Sequence, residues 1–201
     1  DAIDPSVHIT ERQPTSRPPG AEPTAQTSTM PDFKLELKPA PENKWICEFA
    51  GKEQGVVEIT VESFNQSVYL YKCEDVTVVV SGKFNSILVD NCKKTKVLVD
   101  SCMSTFEVCN CSRMQVQVKE SAPSIAIDKT DGCLVYLSEQ MLADEAFSIT
   151  AAKSSEMNVS FPFGPDGDYV ERPLPEQFVY KINTSGAEPS VSAEISELYS
   201  S

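Results

Sequence analysis

The chain has 201 residues, 30 acidic and 17 basic, for a formal net charge of −13. That length accommodates one domain plus tails. The charge argues against nucleic acid or an anionic lipid surface as partner, and no apolar run approaches membrane-spanning length.

In chain order, residues 1–30 are rich in Pro, Thr, Ser, Ala and Gln. They read as a disordered linker, too polar to build a core. No signal peptide is expected at the start. The domain is expected to span 31–201, beginning near Phe33, where Phe33, Leu35 and Leu37 alternate. Trp45, Cys47 and Phe49 form a second alternating run.

From there to about residue 161 the sequence repeats. Cys73, Cys92 and Cys111 stand nineteen residues apart, and their surroundings keep that interval. With these cysteines at position zero, Val78, Val97 and Val116 stand five residues downstream, and Leu70, Val89 and Val108 three upstream. Thr130 continues the zero column and Ser154 follows after an insertion at 139–145. One step back, the nineteen-residue ruler lands on Gln54, with Phe49, Ile59 and Val61 in register. A fixed period of this length means a solenoid. Within each unit the apolar residues alternate, as Val76, Val78 and Val80 do, and many are β-branched. That is strand period, with two short strands and two corners per unit and no room for a helix. A leucine-rich repeat would need a leucine frame that is absent here. The fold class is therefore all-β, a parallel β-helix of about six turns.

After the turn cluster at 164–167, Pro173 and Pro175 stop any regular ladder. Phe178 to Ile182 and Ser190 to Tyr199 then alternate as a β-hairpin within about 176–201. A lone hairpin is marginal, so it either covers the solenoid end or pairs with another chain; dimerisation is the favoured outcome.

The chemistry is sparse. The sole histidine, His8, lies in the linker, so Ser–His or Cys–His catalysis inside the domain is not expected. Cys109 and Cys111 lack the further ligands of a tetrahedral metal site. Seven cysteines, mostly in the repeat columns, read as free buried thiols of a reducing, cytosolic protein. Sequons at Asn65, Asn110, Asn158 and Asn183 point weakly the other way. Asp90 and Asp128 share an outward column two turns apart, about 10 Å by the strand spacing, which resembles the acid pairs of inverting glycosidases in distance only. A solvated acidic face explains them more simply. The column before zero reads Lys72, Asn91, Asn110, Lys129 and Lys153, with Lys93, Lys94 and Arg113 beside it. In an acidic chain such a basic ridge is either a docking surface for an acidic protein or a row of solvated corners.

The corner segments at 71–73, 89–94, 129–133 and 153–158, with Pro173-Leu174-Pro175-Glu176-Gln177-Phe178, resemble the C-terminal domain of cyclase-associated protein. The resemblance implies a right-handed parallel β-helix that dimerises through exchanged C-terminal strands. It implies binding to monomeric actin in the ADP form, promotion of nucleotide exchange and recycling of monomers released by cofilin. No enzyme activity and no cofactor or metal are implied. The actin-contact residues it carries over are Asp90, Asn91, Lys93, Lys94, Lys129, Thr130, Asp131, Lys153, Ser154, Ser155 and Glu156. Thr130 and Ser154 occupy the zero column, where a structural role competes. The implied location is the cytoplasmic actin cytoskeleton, with no nucleic acid and no membrane insertion. The alternatives are a carbohydrate-active β-helix using Asp90 and Asp128, or a dimerisation module without exchange activity. The β-helix of tubulin-folding cofactor C is also similar, but its arginine motif has no counterpart here.

Overall fold

The computed structural model describes residues 31–186 and 188–197. The expected linker, 1–30, and the last four residues of the expected hairpin lie outside them.

Alternating, β-branched segments give two facing seven-stranded sheets. One contains β1 (Lys34–Lys38), β2 (Lys44–Glu48), β4 (Ser67–Tyr71), β6 (Ile87–Asp90), β8 (Thr105–Cys109), β10 (Ser124–Asp128) and β12 (Ser148–Ala152), in that spatial order. The other runs from β3 (Val56–Thr60) through β5 (Thr77–Phe84), β7 (Lys96–Cys102), β9 (Ser112–Ser121), β11 (Asp131–Tyr136) and β13 (Ser155–Phe163) to β14 (Asp168–Pro173). The chain passes from one sheet to the other and back. Consecutive coils therefore stack in parallel, with Val68 on Ile87, Ile87 on Phe106 and Phe106 on Ile125. This is the parallel β-helix expected from the nineteen-residue period.

The alternation decides what is buried. In β4 and β5, Val68, Leu70, Val78 and Val80 face inward while Tyr69, Tyr71, Thr77 and Val79 face out. Phe84, Phe106, Ile87, Ile125 and Ile127 fill the interior between the sheets. Each such side chain contributes about 1.5–3 kcal/mol of transfer free energy. No single coil can bury its apolar face alone, so the stack stabilises itself coil against coil.

Three regions depart from the sequence expectation. The first coil is longer than nineteen residues. Cys47 pairs with Leu70, and Val57 with Val78, so Ala50 rather than Gln54 sits below Cys73. The extra residues go into looser corners: the Gly51–Gly55 loop, where Gln54 Oε1 accepts the Gly51 N–H at 2.7 Å, and the turn around 62–66. Phe49, Ile59 and Val61 accordingly belong to other columns than the ruler assigned. Second, the insertion contains one helical turn, α1 (Glu139–Leu142), capped by the Ser138 hydroxyl and anchored by buried Met141. Third, the stretch from the 164–167 turn to Pro173, to which the sequence reading assigns no strand, adds one more strand to the sheet. The chain reverses at that turn, and β14 lies antiparallel on β13 up to Pro173.

At the C-terminus, β15 (Phe178–Asn183) and β16 (Ser190–Ile195) form a separate antiparallel hairpin.

Candidate functional site

The conserved geometry of each coil is its corner between the two sheets. The residue before zero adopts a left-handed conformation in every coil: Phe49 (φ 58°), Lys72 (49°), Asn91 (55°), Asn110 (54°), Lys129 (47°) and Lys153 (51°). Two residues after zero, Asp75, Lys94, Arg113, Gly132 and Glu156 do the same. Non-glycine residues adopt this region at a cost of roughly 1–2 kcal/mol, with Asn and Asp the cheapest. The paired kinks turn the chain sharply and throw both flanking side chains outward.

The zero residue between them faces inward and carries the corner's hydrogen bonds. The backbone N–H of Cys73 donates to Cys92 Sγ, that of Cys92 to Cys111 Sγ, that of Cys111 to Thr130 Oγ1 and that of Thr130 to Ser154 Oγ, at 3.1–3.4 Å. In turn Cys111 Sγ donates to the Cys109 carbonyl, Thr130 Oγ1 to that of Asp128 and Ser154 Oγ to that of Ala152. The corner takes these N–H groups out of the backbone ladders and a short side chain supplies their acceptor, while its own proton goes to carbonyls that also accept the N–H of Asn91, Asn110 and Lys129. Cys, Thr and Ser are the compact residues that meet this need. The sulfurs are structural, and all seven cysteines are free. Burial pushes the Cys133 thiol up to about 12 and raises Cys102 and Cys109 as well.

The outward-facing residues form one ridge across the stack. Successive rungs are about 4.8 Å apart. Lys93 pairs with Glu74 at 3.5 Å, Lys129 with Asp128 at 3.5 Å, and Lys72 Nζ lies 5.1 Å from the centre of the Tyr71 ring. Lys94, Arg113 and Lys153 are exposed and make no ion pair among the described residues. Asp90 organises the middle of the ridge. Its Oδ1 accepts the side-chain amides of Asn91 (2.9 Å) and Asn110 (2.8 Å), and its Oδ2 faces the Tyr69 hydroxyl at 3.5 Å. Burial, then the Asp90 charge, pushes the Tyr69 hydroxyl up to about 12. Further along, Asp131 Oδ1 accepts the Ser155 hydroxyl at 2.8 Å.

The structure therefore brings together Asp90, Asn91, Lys93, Lys94, Lys129, Asp131, Lys153, Ser155 and Glu156 on one surface. Thr130 is 1% exposed and lies beneath it, and half-buried Ser154 has its hydroxyl bonded to backbone. Asp90 and Asp128 do share an outward column, with Cys109 between them, while Cys111 faces the core. What the sequence alone did not reveal is the support at the C-terminal end of the ridge. There Glu176 Oε1 accepts the Met157 N–H at 3.1 Å and the Leu174 N–H donates to the Met157 carbonyl at 2.9 Å. Between this segment and β12 lies a groove of about 570 Å³ lined by Ile149, Lys153, Met157, Leu174 and Phe178. The Pro-Leu-Pro-Glu run marks the place, but nothing in its spacing announces a cap.

Residues 32–195 match the family described as adenylate cyclase associated (CAP) C terminal. Human adenylyl cyclase-associated protein 2 is 41% identical over 148 residues, 74% of this chain and 29% of that protein. Cyclase-associated protein 1 of Arabidopsis thaliana is 40% identical over 146 residues, 72% of this chain and 29% of that protein. The chain thus spans less than a third of these relatives' length. The crystal structure of cyclase-associated protein from Cryptosporidium parvum superposes with a TM-score of 0.72 at 28% identity, over 81% of this chain and 94% of that one.

Proposed function

The chain belongs to the family of cyclase-associated protein C-terminal domains, and from that premise we propose that it binds monomeric ADP-actin and promotes nucleotide exchange on it. It acts in cytoplasmic monomer recycling, downstream of cofilin, as a binding protein with no bond-cleaving chemistry. The observation that carries this reading is the left-handed column. Lys72, Lys129 and Lys153 occupy positions where Asn or Gly would be cheaper. Strained residues held on an outward surface point to a use for their side chains. Actin is acidic, and an acidic binder needs a local basic surface to meet it. Asp90, Asp131 and Glu156 punctuate the ridge and set its register against the partner, while Thr130 and Ser154 hold the corners beneath. Exchange accelerates if the ridge binds actin's open-cleft state more tightly than its closed one.

The domain acts as a homodimer through its hairpin. Phe178 pairs with Ile195, Tyr180 with Ala193 and Ile182 with Val191, so one hairpin face is apolar apart from the Tyr180 hydroxyl, and all six residues are exposed. Such a face is suited to a second copy of the chain.

The test is release of a fluorescent nucleotide from ADP-actin, with the domain and with its Lys129→Glu, Lys153→Glu variant. The wild type should accelerate release, and the folded variant should need at least ten-fold more protein for the same effect. Equal acceleration by both would remove the ridge from the mechanism; no acceleration by either would leave a dimerisation module.

A further inference from the structure

Away from the ridge, the first two coils hold a pair of thiols with no part in the proposed function. Cys47, in β2, and Cys73, at the second corner, are both 0% exposed, and their Sγ atoms are 4.0 Å apart. The other neighbouring thiols are arranged differently. Cys73, Cys92 and Cys111 stack in register, so their side chains run parallel, and each later sulfur accepts the preceding residue's N–H. Cys47 instead lies three positions off the zero column, in line with Leu70, and meets Cys73 diagonally. The Cys73 sulfur faces the Cys47 carbonyl as well, at 3.7 Å.

We propose that Cys47 and Cys73 are a redox latch that closes a disulfide between the first and second coils when the protein meets a peroxide. Closure requires the sulfurs to approach by about 2 Å, to the S–S length of about 2.05 Å. Cys73 reacts first, its thiolate attacking the peroxide oxygen: the S–H of Cys47 beside it stabilises that thiolate and lowers its pKa relative to its partner's. Peroxide transfers one oxygen to Cys73, giving a sulfenic acid and water. The Cys47 sulfur then displaces that hydroxyl as a second water. Overall two thiols lose two electrons and two protons, and one peroxide becomes two waters. Access comes from position. The first coil lies at the end of the stack: β3 is the edge strand of its sheet, and in the other sheet only the single strand β1 covers β2, with Leu35 beside Cys47; terminal coils open at the lowest free energy. The bond closes a loop over a sequence separation of 26 and ties the weakest coil to the next.

Half-buried Cys109 serves as an internal dosimeter for the experiment. The full chain is titrated with hydrogen peroxide until Cys109 is consumed, then digested without reduction and mapped by mass. A Cys47–Cys73 linked peptide should account for most of the additional thiol loss, and the thermal midpoint should rise by about 5 °C. Peroxide-treated Cys47→Ser should show neither. Pairing of Cys73 with Cys92 overturns the proposal, as does consumption of Cys109 with Cys47 and Cys73 still reduced. An equal rise in midpoint for Cys47→Ser overturns it as well.

Discussion

The coiled body and the C-terminal hairpin are both built from alternating strands, yet they bury their apolar residues in opposite degree. In the body, every inward position of β4 to β11 meets another coil and is buried. In the hairpin, Tyr180 is 68%, Ile182 76% and Val191 68% exposed, although their pairing is as regular. Alternation therefore specifies a strand but not its partner. A coil finds the next coil within its own chain because the repeat supplies one. The hairpin stands outside the repeat, and the stack offers it no matching face.

The largest expected effect tests this contrast directly. Phe106→Ala empties a site that is 0% exposed between two coils. It should cost about 3–5 kcal/mol, read as a lower urea midpoint. Ile182→Asp in the hairpin should move the midpoint of the isolated monomer by less than about 0.5 kcal/mol. In sedimentation, the same change should convert dimer to monomer, as should removal of 176–201. A dimer that survives both hairpin changes would place the self-association surface on the body instead.

A smaller effect separates the two layers of the corner. Thr130→Val keeps the shape but deprives the buried Cys111 N–H of its acceptor, while the Asp128 carbonyl loses one donor and keeps the Asn110 N–H. A loss of about 1–3 kcal/mol is expected. Lys129→Asn, one residue away, should be neutral or stabilising by up to about 1 kcal/mol, since Asn suits the left-handed backbone better. It should nevertheless weaken actin binding. A Lys129→Asn domain that loses stability would remove the strain argument on which the ridge assignment leans.

These two neighbours also show what was legible beforehand. The period placed Thr130 and Lys129 in their columns, because each coil stacks on the last at fixed register. The sequence could not disclose that the zero column exchanges hydrogen bonds with the backbone, since Cys, Thr and Ser there look like unrelated small residues until the kinked corners are seen. Nor could the ruler survive the first coil. Corner length is set by local turn chemistry such as the Gln54–Gly51 bond, and extra corner residues shift every later column. The antiparallel β14 was missed for a related reason: Pro173 does end the ladder, but the five residues before it could still pair with β13.

The smallest expected effect concerns a pair of similar ion pairs, one in each region. Lys181 and Glu194 bridge the hairpin strands with side chains 62% and 58% exposed. Removing that pair with Lys181→Met should leave stability unchanged within error. Lys119 and Asp100 bridge neighbouring coils at 2.8 Å, and Asp100 also accepts the Gly82 N–H at 2.8 Å. Gly82 is confined there: its φ is 99°, and a Cβ would come within 2.6 Å of the Val61 carbonyl oxygen. The Lys119 ammonium, then the Gly82 N–H, hold the Asp100 carboxyl below its ordinary value. A carboxylate depressed in the folded state stabilises above its unfolded pKa, near 3.9, and that contribution fades as pH falls through the lower folded value. Urea midpoints of the wild type and Asp100→Asn should therefore differ by a constant small amount from pH 7 to about pH 5. The gap should narrow below about pH 4. A gap that stays constant down to pH 2 would mean that Asp100 acts through the shape of the Gly82 bulge alone, and that charge contributes no more in the stacked body than in the exposed hairpin.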